Sequence, residues 1–186
     1  YDDNESIIRL SDDIKPVLLV FIPELHSITI EDQVHGSTRK LIANREEKLS
    51  DKASIHQTQN EYRWFVYREN FEPPEAVRED DETEERNRAN IKQREIVVIF
   101  SISEDGQLQT ISKSGAPEAE SGGAHSHIYS FTPLGKEKVQ LPFLLQGDFF
   151  TNVNRYNALE DPLWNRWLAE KAGETVIKAV RAVQNL

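Results

Sequence analysis

Arg155 has the strongest claim to chemistry. It closes the run Leu141-Pro-Phe-Leu-Leu-Gln-Gly-Asp-Phe-Phe-Thr-Asn-Val-Asn-Arg155, in which an apolar, strand-like stretch delivers small polar groups and one arginine to its end. Functional side chains gather where a rigid element hands over to a loop. A guanidinium there offers a planar, permanently charged fork that can meet two phosphate oxygens at once. The plainer reading is a surface arginine, solvated or ion-paired. Lys136 and Lys138, in the polar stretch just before this run, are candidates for a second phosphate contact, with a solvated loop as the alternative. His125 and His127 share a face if the chain is extended there, and Asp148 or Glu118 could complete a metal site with them. No third ligand has motif spacing, so an incidental pair is the simpler reading.

Other chemistries are excluded by what the chain lacks. It has no cysteine, so thiolate metal sites, disulfides and cysteine nucleophiles are absent from it. No Gly-x-Ser-x-Gly elbow and no Walker-type phosphate loop occurs. The formal net charge is −10, which opposes non-specific nucleic-acid binding, because that depends on Lys and Arg neutralising phosphates. No apolar run approaches the ~18 residues of a membrane span, so no membrane association is expected. Tyr1 to Leu10 is acidic and polar, unlike a signal peptide; the parent's localisation stays open, with a cytoplasmic setting as the expectation. At 186 residues the chain can build one real core, and its opening at Tyr1 leads us to expect a segment of a longer polypeptide.

The elements that must hold these residues follow from periodicity. Leu10 to Leu25 reads as a helix capped by Ser11, with Pro16 near its start and Pro23 as its stop. His26 to Glu31, Thr38 to Ala43 and Glu61 to Arg68 read as strands from alternation and β-branched or aromatic content. Residues 73–94 are dense in charge and are expected to form a solvated helix or connector, with Pro74 near its first position. Glu95 to Ile102 is nearly continuously apolar, the mark of a central strand covered on both faces. Asp105-Gly106 predicts a hairpin, residues 112–126 a flexible loop, and His127 to Phe131 a further strand. Residues 158–186 are expected to be helical from Asp161 as cap and Pro162 as first residue, with Gly173 dividing them. Trp164, Trp167, Leu145, Phe149 and Phe150 read as core, and Asn165 as part of a structural turn. The order is α+β with a mixed sheet and helices on one face, in a single domain.

A family resemblance sharpens the reading. Thr151-Asn152-Val153-Asn154-Arg155 resembles the middle-domain stretch Leu-Asn-(Leu/Val)-Ser-Arg-Glu of the large ATP-dependent heat-shock chaperones, with Asn152 and Arg155 on the shared positions. Asn154 and Tyr156 depart from that pattern. Leu18 to Leu25, Leu141 to Phe149, Arg155, and Asp161-Pro-Leu-Trp-Asn165 with Trp167-Leu168 are together similar to large sacsin-like and NO VEIN-like proteins, in which a GHKL ATPase domain precedes a region of this type. The resemblance implies a transducer segment with a ribosomal-protein-like βαβ fold. It implies that Arg155, with Asn152 beside it, contacts the γ-phosphate of ATP. That ATP and its Mg²⁺ would be held by an upstream ATPase domain, because the superfamily's own nucleotide motifs are missing here. It leaves room for a protein client and for a homodimer of the parent. The alternative from a different class is a non-catalytic protein–protein interaction module.

Overall fold

The computed structural model describes residues 17–22, 25–33, 36–58, 63–109, 128–130, 132–134, 141–153 and 157–186, with the backbone alone at 43–46, 132 and 133. Among them nine strands join one sheet: β1 Ser27–Asp32, β2 Ser37–Lys48, β3 Ala53–Thr58, β4 Arg63–Phe71, β5 Arg94–Ile102, β6 Leu108–Gln109, β7 Ile128–Ser130, β8 Thr132–Pro133 and β9 Leu144–Gln146. Their order is β1-β2-β3-β4-β5-β9-β7-β8, with β6 also paired to β5. The helices are α1 Leu18–Phe21, α2 Glu75–Arg78, α3 Asp81–Glu85 and α4 Leu163–Val183.

The class is α+β with a mixed sheet and a C-terminal helix, as expected. Its connectivity is a meander: β1 to β5 pair antiparallel in succession, and among the described residues the one parallel pair is β7 with β9. No helix among the described residues joins that parallel pair. The strand β3 was not anticipated, and β2 runs on past Ala43 through a register shift between Ala43 and Arg45. Polar composition hides both, because cross-strand pairing, not apolar alternation, holds them in the sheet.

The sheet buries both faces around β4 and β5. Phe65, Tyr67, Ile96, Val98, Phe100 and Leu145 face α4 and its Trp164, Trp167 and Leu168. Trp64, Val66, Val97, Ile99 and Leu144 face the other way, against Val17, Val20, Phe21 and Tyr129. The expectation of helices on one face is thereby corrected, because α1 covers the face opposite α4. Continuous apolarity in β5 is what a strand with two covered faces needs, and Ile96 to Ile99 are fully buried. Burial also pushes the Tyr129 phenol above its usual pKa.

Three helix expectations change. Of the Leu10 to Leu25 helix, the described part is helical only over Leu18–Phe21 and leaves the helix at Ile22, the residue before Pro23; its cap Ser11 lies outside the described residues. The charged segment 73–94 is two short helices, not one. Only Val77 and Thr83 of its helical residues are buried, too little apolar surface to hold a long helix. Asp80 restarts the chain by accepting the Thr83 amide at 3.2 Å, and Asn87 then turns it with φ of 59°. Finally, α4 begins at Leu163 with Pro162 as its cap, without a side-chain bond from Asp161, and runs unbroken through Gly173. Trp164, Leu168, Thr175 and Ala179, all at 0% exposure, repeat at helical spacing and keep it continuous across the glycine. Thr175 satisfies its buried hydroxyl by donating to the Lys171 carbonyl at 2.7 Å. The loop 112–126 lies outside the described residues.

Candidate functional site

The run Leu141 to Arg155 enters the sheet as β9 and leaves it as a buried stem. Gly147 permits the turn-out: a Cβ there would meet the Phe149 ring at 2.9 Å and Ile96 Cδ1 at 3.0 Å. Its amide donates to the Tyr129 carbonyl at 3.1 Å. Asp148 follows, 5% exposed, and an ionised carboxylate at that depth needs charged partners. It has two. Arg88 donates through Nε at 2.9 Å and a terminal nitrogen at 3.1 Å, and Arg94 donates through Nε at 2.7 Å. Its backbone carbonyl accepts the Trp164 indole N–H at 2.8 Å. Ser130 donates to the Phe149 carbonyl at 3.0 Å.

At Phe150 the stem is clamped. Asn165 Oδ1 accepts the Phe150 amide at 2.6 Å, while Nδ2 donates to the Phe150 carbonyl at 2.8 Å and to the Leu159 carbonyl at 2.7 Å. The Leu159 amide returns a bond to the Phe150 carbonyl at 2.9 Å. The Phe150 ring stacks on Trp164 at 5.5 Å and 7°, with the Arg86 guanidinium 4.9 Å from its centroid. Beyond the clamp, Thr151 bridges Ala158, and Asn152 donates its amide to the Asn157 carbonyl at 3.1 Å. The chain is therefore pinned on both sides of 154–156, which lie outside the described residues. Val153, the last described residue before them, is fully exposed, at 101%.

The predicted residues fall on both sides of what is described. Asn152 is half-buried, and its side-chain oxygen accepts the Asn157 amide at 3.4 Å, so it helps close the loop. Arg155 lies outside the described residues, as do Lys136, Lys138, His125, His127 and Glu118. Asp148 is taken up by Arg88 and Arg94, which argues against a metal-ligand role for it. Trp164 and Trp167 pack as anchors at 5.3 Å, as expected. The sequence reading missed Arg88, Arg94 and the clamping role of Asn165. The usable signal was Asp148 itself: a carboxylate inside an apolar run implies partners elsewhere, although nothing local names them.

Two further features complete the surroundings. Glu69 on β4 takes the Lys52 ammonium at 2.6 Å and the Lys178 ammonium of α4 at 2.9 Å. Burial pushes its carboxyl up, but hydrogen bonds from Lys52 and Lys178 outweigh burial and hold it below the usual range. An apolar groove of about 580 Å³ runs between α4 and the stem, lined by Leu141, Phe143, Leu159, Ala169 and Val176 among others. No helix among the described residues is long and apolar enough to cross a membrane.

Among known proteins, the chain is similar to Protein NO VEIN of Arabidopsis thaliana, with 25% identity over 177 residues. The match takes in 94% of this chain and 6% of that protein, so the chain spans a small fraction of its relative's length. No family model matches the chain. No solved structure matches it.

Proposed function

We propose that this chain is the transducer segment of a GHKL-type ATPase, and that Arg155 reaches the γ-phosphate of ATP held by a domain preceding it in the parent protein. The observation that carries the reading is that the chain on either side of 154–156 is pinned, by the Thr151–Ala158 bridge and a buried clamp at Phe150, while Val153 is fully solvated. A group between two pinned limbs is held relative to the domain's core, as contact with a neighbour's ligand requires. The arginines bonded to the stem, Arg88 and Arg94, are held by Asp148 and are committed to the domain's own core. Likeness to Protein NO VEIN along nearly the whole chain adds support to the relationship.

In this reading ATP with its Mg²⁺ supplies the phosphoryl group to be cleaved. Arg155 offsets charge on the equatorial oxygens once the two domains dock, and Asn152 holds the loop closed. Release of the γ-phosphate removes the attraction and frees the domain, so nucleotide state becomes a change of domain angle. Arginines that act in this way contribute ~10³–10⁵ in rate in related phosphoryl transfers. The test is Arg155→Ala in the parent protein with its preceding domain, measured by steady-state turnover and nucleotide affinity. Turnover should fall by about 10³-fold with affinity largely kept. Unchanged turnover would overturn the reading and favour an interaction module.

A further inference from the structure

We propose that α1 is a strap latched by Arg68, and that its seating is passed through Tyr129 to the stem that follows β9. Neither step depends on whether Arg155 meets a phosphate. Four residues make too short a helix to persist alone, and Val17 caps it without a side-chain bond. Its backbone bonds are local, with the Val20 amide donating to the Val17 carbonyl at 3.0 Å and the Ile22 amide to the Leu19 carbonyl at 3.3 Å. Val17, Val20 and Phe21 are nonetheless buried, against Trp64, Val66, Val97, Ile99 and Leu144. Such apolar contact holds α1 down, but it is non-directional and does not fix where the helix sits along the sheet. Arg68 supplies the direction. It stands two residues beyond Val66 on β4, and so on the face that α1 covers. Its guanidinium donates to the Val20 carbonyl at 2.5 Å and to the Phe21 carbonyl at 3.4 Å, at a helix end that leaves carbonyls without intrahelical partners. Positive charge is favoured at that end of a helix. Glu95 on the neighbouring β5 accepts from the same guanidinium at 2.9 Å and holds it in place.

The last ring of the strap reaches the stem's support. Phe21 packs on Tyr129 with ring centroids 4.7 Å apart. Tyr129 is the buried anchor of β7, a strand of three residues that pairs with β9 at Leu145 and Gln146. The Tyr129 carbonyl accepts the Gly147 amide at 3.1 Å, and the adjacent Ser130 donates to the Phe149 carbonyl at 3.0 Å. A strand this short has few ladder bonds to keep its register, so its place depends on the packing of the Tyr129 ring. Lifting α1 uncovers that ring and loosens the two bonds that β7 gives to the stem. A partner that displaces α1 on one face of the sheet therefore acts on the stem, whose Phe149 and Phe150 pack on the other.

The test is amide hydrogen exchange in the parent protein, for Arg68→Met and for Glu95→Gln. Methionine keeps an apolar stem at position 68 and removes the donors. Loss of charge-assisted bonds of this kind shifts an opening equilibrium by about tenfold or more. Arg68→Met should therefore accelerate exchange at Val20 and Ile22 by about tenfold, and at Gly147 by a similar factor. Val66 and Val98, in the centre of the sheet, should stay within about twofold of the wild type, because the opening is local. Glu95→Gln should accelerate the same three amides by less, since Arg68 still reaches the carbonyls of α1. It keeps the guanidinium and its targets, so it decides the matter if Arg68→Met does not fold. Wild-type exchange at Val20 and Ile22 in both variants, or equal acceleration at Val66 and Val98, would overturn the latch. Faster exchange at Val20 and Ile22 with Gly147 at the wild-type rate would overturn the link to the stem.

Discussion

Asp148 is a carboxylate inside an apolar run, and the two guanidiniums that reach it come from 60 and 54 residues away. Removing its charge leaves Arg88 and Arg94 facing a neutral, crowded site. Both are about a third exposed, so water recovers part of the loss. Asp148→Asn should lower stability by about 2 kcal/mol in urea unfolding at neutral pH. Glu69 makes a different prediction, in pH. Its folded pKa is depressed, so its contribution is present above the unfolded value of ~4.3 and is lost as pH falls through the folded value. The stability gap between wild type and Glu69→Gln should therefore be full near neutrality and shrink as pH drops below ~4.3. A gap that widened in acid would contradict the network with Lys52 and Lys178.

At the level of elements, two glycines separate backbone need from mere tolerance. Gly173 lies in mid-helix, with nothing within 4 Å of a Cβ built there. Gly173→Ala should stabilise the protein by about 0.5–1 kcal/mol, read as a rise in Tm. Gly147→Ala should do the opposite, by about 1–3 kcal/mol, because its Cβ would press on Phe149 and Ile96 in a packed core. The same contrast explains what was legible in the sequence. The strand β5, the hairpin at Gly106 and the apolar face of α4 announce themselves, because one local period decides each. Residues 73–94 did not, since their two short helices are held by Asp80, Asn87 and contacts to Asp148 and Phe150 far along the chain. The strand β3 was hidden for a similar reason: Ser54, His56 and Thr58 are polar yet buried, with the Ser54 hydroxyl bonded to the His56 ring at 2.9 Å. The stem of the candidate site could be read as a strand leading to a polar end. Its clamp could not, because Asn165 lies beyond the loop and its role exists only in three dimensions.

For the molecule as a whole, the meander of β1 to β5 and the packed α4 form one block, to which Thr151 and Ala158 are pinned by their bridge while Val153 stands exposed. An exposed valine gains by being covered, and on the proposed reading docking to a nucleotide-bearing neighbour would cover it. If the γ-phosphate controls docking, as proposed, the accessibility of Val153 depends on which nucleotide is bound. This chain has no cysteine, so a thiol placed at position 153 can be followed by mass spectrometry of its own peptide. The decisive measurement is the alkylation rate of Val153→Cys in the parent protein, with a non-hydrolysable ATP analogue and with ADP. Docking predicts modification at least tenfold slower with the ATP analogue than with ADP. The same rate with both nucleotides would mean that the loop does not meet a neighbour in response to ATP.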